Sequence, residues 1–327
     1  MTKALTLAVA LAFTALPFTS TTLAQAPAAK PKAEAAAAKP KAPAPSVQST
    51  YASPEAAAKA LADAVRAQDV NALFAVVGPS SRSWILSGDP VADREGWGKF
   101  LAGYEKKNSI AKSGDAKATL LVGEDEWPFP APLVQKAGKW AFDAEAGREE
   151  VINRRVGRNE LDTIQTMLAI VDAQRLYASK DPDGNGVAAY AAHFVSKPGK
   201  KDGLYWDTKP GEPESPLGPL VGEASSQGYS TQAQGSKPQA YHGYHFRILT
   251  RQGKDAPGGA YDYRVKGKLF GGFAVVAYPA NYGVSGVKTF IVNHEGVVYE
   301  KDLGAATAAT AAAMTHYNPD KTWQKAD

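Results

Sequence analysis

The segment DPDGNG, which begins at Asp181, carries the side chains most suited to holding a metal ion. Asp181, Asp183 and Asn185 stand at alternate positions, as the oxygen ligands do in the first half of a calcium loop. The bidentate Glu expected at the twelfth position is replaced by Ala192, which excludes an intact EF-hand. A calcium site here would need a further oxygen from a distant acid such as Asp202. A turn that ends the preceding helix explains the same residues without an ion.

Four aromatic side chains in the first half of the chain are candidates for lining an apolar pocket: Trp84, Trp97, Tyr104 and Trp127. Trp97, Phe100 and Tyr104 stand at positions i, i+3 and i+7, so they would form a stripe on one face of a helix. Such a stripe is also typical of a packed core. Core packing and a ligand pocket therefore both remain open for these residues.

The sequence contains no motif typical of catalysis or nucleotide binding. Gly-x-Ser-x-Gly, a Walker loop and His-Glu-x-x-His do not occur. A Ser-x-x-Lys at residues 109–112 lacks the companion motifs of penicillin-binding enzymes. We therefore assign no catalytic residues, and the sequence favours binding or assembly over catalysis.

Composition excludes several further classes of site. The chain has no cysteine, so disulfides, thiolate zinc sites and a cysteine nucleophile are impossible. Five lysines and one glutamate within residues 1–50 account for the whole net charge of +4. The rest of the chain is balanced, which gives no electrostatic reason to expect a nucleic-acid partner.

Residues 1–24 have the pattern of a secretory signal peptide. Lys3 precedes an uncharged apolar run over residues 4–16, and Thr22-Leu23-Ala24 forms a small-x-small cleavage site. The run is shorter than the roughly 20 residues that span a bilayer. We expect cleavage after Ala24, a periplasmic or secreted protein, and no integral membrane segment after cleavage. Residues 25–50 are rich in Ala, Pro and Lys and predict a disordered linker.

Residues 51–147 predict a domain of helices followed by antiparallel strands. Ser53 and Pro54 indicate a helix start, Asp69 caps a second helix, and a third lies near residues 93–107. Strands are expected over residues 117–122 and in a hairpin over residues 133–143. The segments ASPEAAAKALADAVRAQDVNALFAVVG and LVQKAGKWAFD resemble the NTF2-like fold, which implies a cone that often encloses an apolar pocket.

Residues 148–327 predict one long helix, up to residue 179, followed by strands. Gly157 is a possible break in that helix, and residues 203–240 are expected to form a long loop. Strands are expected from Tyr244 and over residues 272–278, with a hairpin at His294-Glu295-Gly296 and a short helix over residues 305–314. LDTIQTMLAIVDAQRLYAS and TFIVNHEGVVY resemble the globular domains of type IV pilins and pseudopilins. The apolar half of the pilin spine helix is missing, which places polymerisation into a pilus in doubt.

The region 51–327, including SPLGP at residues 215–219, is similar to the DUF2950 family of exported bacterial proteins of unknown function. The expected fold class is α+β. We expect an exported, non-catalytic envelope protein with a binding or assembly role, whose partner is another envelope protein or a small molecule. The alternative is a small-molecule binding protein or hydrolase that uses a pocket in the first domain. Calcium at Asp181 is the one cofactor that the sequence suggests.

Overall fold

The chain folds into helices and mainly antiparallel strands, which the computed structural model describes over residues 47–182, 184, 186–230 and 239–326. The helices are α1 Pro54–Arg66, α2 Val70–Val77, α3 Arg82–Ile85, α4 Pro90–Lys106, α5 Ala144–Lys180, α6 Gly218–Ser226 and α7 Thr307–Ala313. The strands are β1 Asn108–Lys112, β2 Lys117–Val122, β3 Trp127–Pro128, β4 Leu133–Lys136, β5 Lys139–Phe142, β6 His193–Val195, β7 Gly203–Tyr205, β8 Tyr244–Leu249, β9 Arg251–Gln252, β10 Tyr261–Asp262, β11 Arg264–Val265, β12 Lys268–Leu269, β13 Ala274–Pro279, β14 Lys288–Asn293, β15 Tyr299–Asp302 and β16 Gln324–Lys325. The expected α+β class is confirmed.

Residues 47–143 form what we call the first lobe, in which short polar residues begin the helices. The Ser53 hydroxyl accepts a hydrogen bond from the Ala56 amide at 3.1 Å and caps α1. Asp69 caps α2 in the same way, through the amide of Asn71 at 2.9 Å. Both helix starts are those that the sequence predicts. The side-chain amide of Gln48 donates to the Phe142 carbonyl at 2.8 Å.

The sheet of the first lobe covers the inner faces of these helices. Its strand order is β1-β2-β4-β5, with β3 paired to β2, and every pairing is antiparallel. Alternate residues of β2 are buried, which confirms the strand predicted at residues 117–122. The core of the lobe is built by these buried side chains: Ala57, Leu61, Leu73, Phe74, Val77, Trp84, Leu120, Leu133, Trp140 and Phe142.

Helix α5 belongs to two hydrophobic cores. It has 37 residues and is capped by Asp143, so it is about 56 Å long at 1.5 Å per residue. Val151 and Ile152 pack on the core of the first lobe, whereas Met167 and Ile170 lie in a second core. Gly157 does not divide the helix, because the assigned helix is continuous through it.

The described part of residues 181–326 forms the second lobe around a five-stranded antiparallel meander. The strand order is β16-β15-β14-β13-β8. Interior strands β13 and β14 are almost entirely buried, and Val276 pairs with Ile291. The predicted hairpin at residues 294–296 is confirmed, because β14 and β15 flank it. The core of the second lobe includes these residues: Met167, Ile170, Val171, Tyr177, Leu204, Tyr244, Tyr263, Phe273, Val275, Phe290, Ile291 and Tyr317.

The loop predicted over residues 203–240 is wrong in two places. Strand β7 pairs in parallel with β6, and its Leu204 is fully buried. Helix α6 begins with Pro219 in its first turn, a position that proline favours, and Leu220 and Val221 pack against the second core. These few apolar residues order parts of a segment whose composition is typical of loops. Residues 231–238 lie outside the described residues.

A buried carboxylate joins the two lobes at what we call the Asp89 junction. Asp89 is fully buried and caps α4 by accepting from the Val91 amide at 3.0 Å. Its second oxygen accepts from the Tyr229 hydroxyl at 2.8 Å and from the Gly243 amide at 2.9 Å. The residue that caps α4 in the first lobe therefore also accepts hydrogen bonds from the second lobe.

Helix α5 makes further contacts at the same boundary. One oxygen of Glu160 accepts from the amides of Val287 and Lys288, both at 2.9 Å. The Asn159 side chain donates to the Ser285 carbonyl at 2.8 Å.

In the described part of the chain, no helix is both long and apolar enough to cross a bilayer.

Candidate functional site

The first lobe contains an open cavity of about 300 Å³, bounded by α1, α2, α3, α4, β3 and the first turns of α5. Its walls are largely apolar and include five aromatic side chains, namely Trp84, Trp97, Phe100, Trp127 and Phe129. Polar lining is provided by Ser87, Asp93, Arg154, Arg155, Arg158 and Asn159. An apolar cavity with a few converging polar groups is the usual form of a small-molecule site.

Arg155 is the central polar group of this cavity. It projects from α5 and its Nη2 donates to the Trp84 carbonyl at 2.5 Å. Its Nη1 is buried and has no hydrogen-bond partner among the described residues. Burial lowers the pKa of Arg155, and Asp93 partly opposes this change. A guanidinium keeps its charge in proteins, so the cavity contains a half-buried cation with an unused donor.

The indole of Trp84 supplies a second unused donor. Trp84 is 5 % exposed, and its Nε1 is buried without a partner in the part of the chain that the structure describes. Buried donors are nearly always paired, and leaving one unpaired costs about 1–3 kcal/mol. Both donors belong to residues that line the cavity, and both donor atoms are buried in its wall.

Asp93 is the one carboxylate among the described lining residues. It is 8 % exposed, and its two oxygens accept from the Ser87 amide at 3.2 and 3.1 Å. Burial raises the pKa of Asp93, while hydrogen bonds from Ser87 and the charge of Arg155 act in the opposite direction. Asp93 and Arg155 thus attract one another without forming a contact ion pair.

Exposed residues mark the mouth of the cavity. Trp127 is 41 % exposed, and the Arg154 guanidinium lies over its ring, 5.4 Å from the centroid. Arg154 also pairs with Glu150 at 2.6 Å. Arg158 stands one turn further along α5 and lines the same opening. The mouth is therefore cationic, with one of its two arginines neutralised by a carboxylate.

The structure brings together three of the four aromatic residues proposed from the sequence. Trp84, Trp97 and Trp127 line the cavity. Tyr104 is not part of this lining; it packs on the lobe's core with its ring 6.0 Å from that of Phe100. Trp84 belongs to both the core and the cavity wall, so its two possible roles are compatible. A ligand-binding role for these residues stays a prediction.

Sequence reasoning missed the charged residues of the cavity. Asp93 stands four residues before Trp97, on the aromatic stripe of α4. Arg155 stands midway between Val151 and Asn159, four residues from each, on the stripe that α5 buries. A charged side chain on an otherwise apolar stripe was the available signal, because such a residue is rarely buried without a partner.

The calcium prediction falls partly outside the described residues. Asp183 and Asn185 are among those not described. Asp181 ends α5 with a left-handed backbone, and its carboxylate accepts from the Gly186 amide at 2.6 Å. Asp202 accepts from the Lys197 amide at 2.9 Å. Within the described ranges no group of three or more His, Asp or Glu side chains is arranged for a metal ion, and calcium stays a prediction.

Comparisons with known proteins place the chain in one family. No curated protein and no solved structure shows a significant match to it. The model of a family described as a protein of unknown function, DUF2950, matches residues 48–326. The match begins at Gln48 and covers both lobes. This chain therefore belongs to the DUF2950 family.

Proposed function

We propose that this chain is an exported, non-catalytic binding protein of the cell envelope that takes a small molecule into the cavity of its first lobe. The observation that carries the proposal is the open cavity of about 300 Å³, whose largely aromatic wall also contains Arg155 and Asp93. Protein interiors are normally close-packed and their polar groups paired. A cavity of this size inside the lobe departs from the first rule and is better explained by a ligand than by packing.

The two lobes support this role through their proposed folds. In the first lobe, helices precede an antiparallel sheet, which supports an NTF2-like fold with an internal pocket. In the second lobe, one long helix precedes an antiparallel meander, which supports a pilin-like fold. Export is proposed from residues 1–24 alone. Mass spectrometry of the chain isolated from an exporting bacterium should find Gln25 at the N-terminus; a mature form that retains Met1 contradicts export.

Two glycines on α4 allow a matched test of the cavity. Gly96 lines the opening, and a Cβ added there meets nothing within 4 Å. Gly98 is two residues further along the same helix, is equally unobstructed and does not line the cavity. Leucine at either position improves helix propensity by about 0.5–1 kcal/mol. The two substitutions should therefore both be tolerated, and only the first should occlude the cavity.

The measurement is a fluorescence titration of the full chain with N-phenyl-1-naphthylamine, an uncharged apolar dye. We expect saturable binding to the wild type and to Gly98→Leu, and a loss of at least about tenfold in affinity for Gly96→Leu. Circular dichroism checks that both variants are folded. Equal binding by all three proteins, or binding by none, would show that the cavity is not a ligand site.

A second candidate is proton-transfer catalysis in the same cavity, and Asp93 is the observation that favours it. A buried carboxyl group with a raised pKa is suited to act as a general acid or base. A molecule that copurifies with the chain would then be converted by the wild type and left unchanged by Asp93→Asn. Mass spectrometry of that molecule before and after incubation separates the two candidates, because a binding protein returns it intact.

A further inference from the structure

We propose that the cavity of the first lobe selects a flat apolar molecule that carries one anionic group, such as an aromatic carboxylate, and that Arg155 binds this group. The inference rests on the proposed binding function and adds the chemical class of the ligand. Three features of the cavity support it: its hydrogen-bond donors, its balance of charge and the apolar, aromatic composition of the rest of its lining.

The unused groups of the cavity are both donors. Arg155 Nη1 and Trp84 Nε1 are N–H groups, and neither has an acceptor among the residues described. The Trp84 carbonyl already accepts a hydrogen bond from Arg155 Nη2. A carboxylate accepts hydrogen bonds at both oxygens and donates none. Placed against Arg155 it would bring acceptors and no donor, whereas an alcohol or an ammonium group would bring further donors.

Charge favours the same class of ligand. The lining contains Arg154, Arg155 and Arg158 against Asp93 alone. Glu150 outside the lining neutralises Arg154, so the remaining arginines exceed the carboxylate by one positive charge. Charge-assisted hydrogen bonds between arginine and a carboxylate are roughly twice as strong as neutral ones. A single anion would balance the site, and a cationic ligand would meet an unfavourable wall.

The remaining surface limits the ligand to one charged group. Away from the arginines and Asp93, the cavity is lined by aliphatic and aromatic side chains, including Trp97, Phe100 and Phe129. A second anion placed against these groups would lose its hydration without gaining partners. Rings packed against the aromatic walls, by contrast, gain the favourable stacking geometries available to such pairs.

Three naphthalene derivatives of one size test the proposal: 2-naphthoate, its uncharged amide 2-naphthamide, and the cation 2-naphthylmethylammonium. Isothermal titration calorimetry of each into the full chain measures the charge preference directly. We expect 2-naphthoate to bind at least about tenfold more tightly than 2-naphthamide, because a hydrogen bond to a charged group contributes more than a neutral one. The cation should bind most weakly.

Variants of α5 assign the preference to Arg155. Arg155→Met should remove the preference for 2-naphthoate over 2-naphthamide, and Arg155→Lys should retain part of it. Arg148→Met is the matched control, because Arg148 is exposed on the same helix and does not line the cavity. Circular dichroism verifies folding, and Arg155→Lys carries the test if Arg155→Met does not fold.

The possible failures are distinguishable. If 2-naphthamide binds as tightly as 2-naphthoate and Gly96→Leu blocks both, the cavity binds ligands and the anionic class is wrong. If the preference survives in both Arg155 variants, the anion is bound elsewhere and the assignment to Arg155 is wrong. If no naphthalene derivative and no uncharged dye binds, the proposed function and this inference fall together.

Discussion

The cavity of the first lobe holds a buried carboxylate and a half-buried guanidinium that attract each other without touching. Asp93 is held by the Ser87 amide, and Arg155 is held by the Trp84 carbonyl. Each group is thus fixed to a different part of the wall. This separation leaves Arg155 Nη1 unused, which a contact ion pair would have prevented.

Replacing Asp93 should change how stability depends on pH. Burial raises the pKa of Asp93, so the folded chain still holds a proton at pH values where the unfolded chain has released it. Its contribution to stability is therefore complete below the unfolded pKa of about 3.9 and falls as the pH rises toward the folded value. The charged groups that act on it are Asp89 and Arg155, which oppose one another. Asp93→Asn should remove this decline in stability. The size of the decline is about 1.4 kcal/mol for each tenfold difference in proton affinity between the folded and the unfolded chain.

Urea unfolding of the wild type and of Asp93→Asn, at several pH values between about pH 3 and about pH 8, measures how the free energy of unfolding of each protein depends on pH. This interval covers the range in which carboxyl groups ordinarily titrate and extends to neutral pH. The free energy of unfolding of the variant should gain on that of the wild type as the pH rises. Parallel profiles would mean that Asp93 titrates normally in the folded chain.

Single residues were predictable where their role is local. Ser53 and Asp69 were identified as helix caps because a cap acts on amides two or three residues away. Asp93 and Arg155 were not identified, because their role depends on a wall assembled from five helices and a strand. The aromatic residues of the cavity could be proposed, but no local pattern separates Trp97, which lines it, from Tyr104, which does not.

At the scale of elements, α5 contains two glycines with opposite surroundings. A Cβ added at Gly147 would lie 2.7 Å from the Ala131 Cα and 2.8 Å from its nitrogen. These are backbone atoms of the segment that leads into β4, so they cannot move aside cheaply. A Cβ at Gly157 meets nothing within 4 Å. The first glycine lets α5 approach the first lobe closely, and the second has no such role.

The same substitution should therefore have opposite effects at these two positions. Gly157→Ala should raise the free energy of unfolding by up to about 1 kcal/mol, because alanine has the higher helix propensity. Gly147→Ala should lower it by about 1–3 kcal/mol, because the added methyl group overpacks the contact with Ala131. Urea unfolding monitored by circular dichroism provides both values. Equal signs for the two variants would contradict the packing described.

Elements were predictable where their signals lie within a few residues. The hairpin at residues 133–143 follows from Ala137 and Gly138, whose positive φ angles form its turn. Helix α6 was missed because its stability comes from contacts of Leu220 and Val221 with a core built mostly from other parts of the chain. Its own sequence, with two glycines and two serines, resembles a loop.

At the scale of the whole molecule, the Asp89 junction should make the lobes unfold together. Asp89 accepts hydrogen bonds from two amides of α4 and from Tyr229 and Gly243 of the second lobe. Asp89→Ala leaves these donors without their acceptor, and we expect a loss of about 3 kcal/mol or more. Tyr229→Phe removes one hydrogen bond and should cost about 1 kcal/mol.

Hydrogen–deuterium exchange with peptide resolution in increasing urea follows the two lobes separately. Peptides of both lobes should report one midpoint in the wild type and in Tyr229→Phe, and separated midpoints in Asp89→Ala. Separate midpoints in the wild type would show that the junction does not couple the lobes. Sequence reasoning could not anticipate this contact, because Asp89 and Gly243 are 154 residues apart.

Helix α5 restricts how a chain of this kind can evolve by recombination. Its first turns pack in one hydrophobic core and its last turns pack in the other. A recombination event that separates the coding regions of the two cores would therefore cut the helix that both cores need. A gene fragment for either half would encode a protein with a bare apolar stripe. The two halves are therefore unsuited to exchange as separate modules, and genetic recombination should preserve them as one unit.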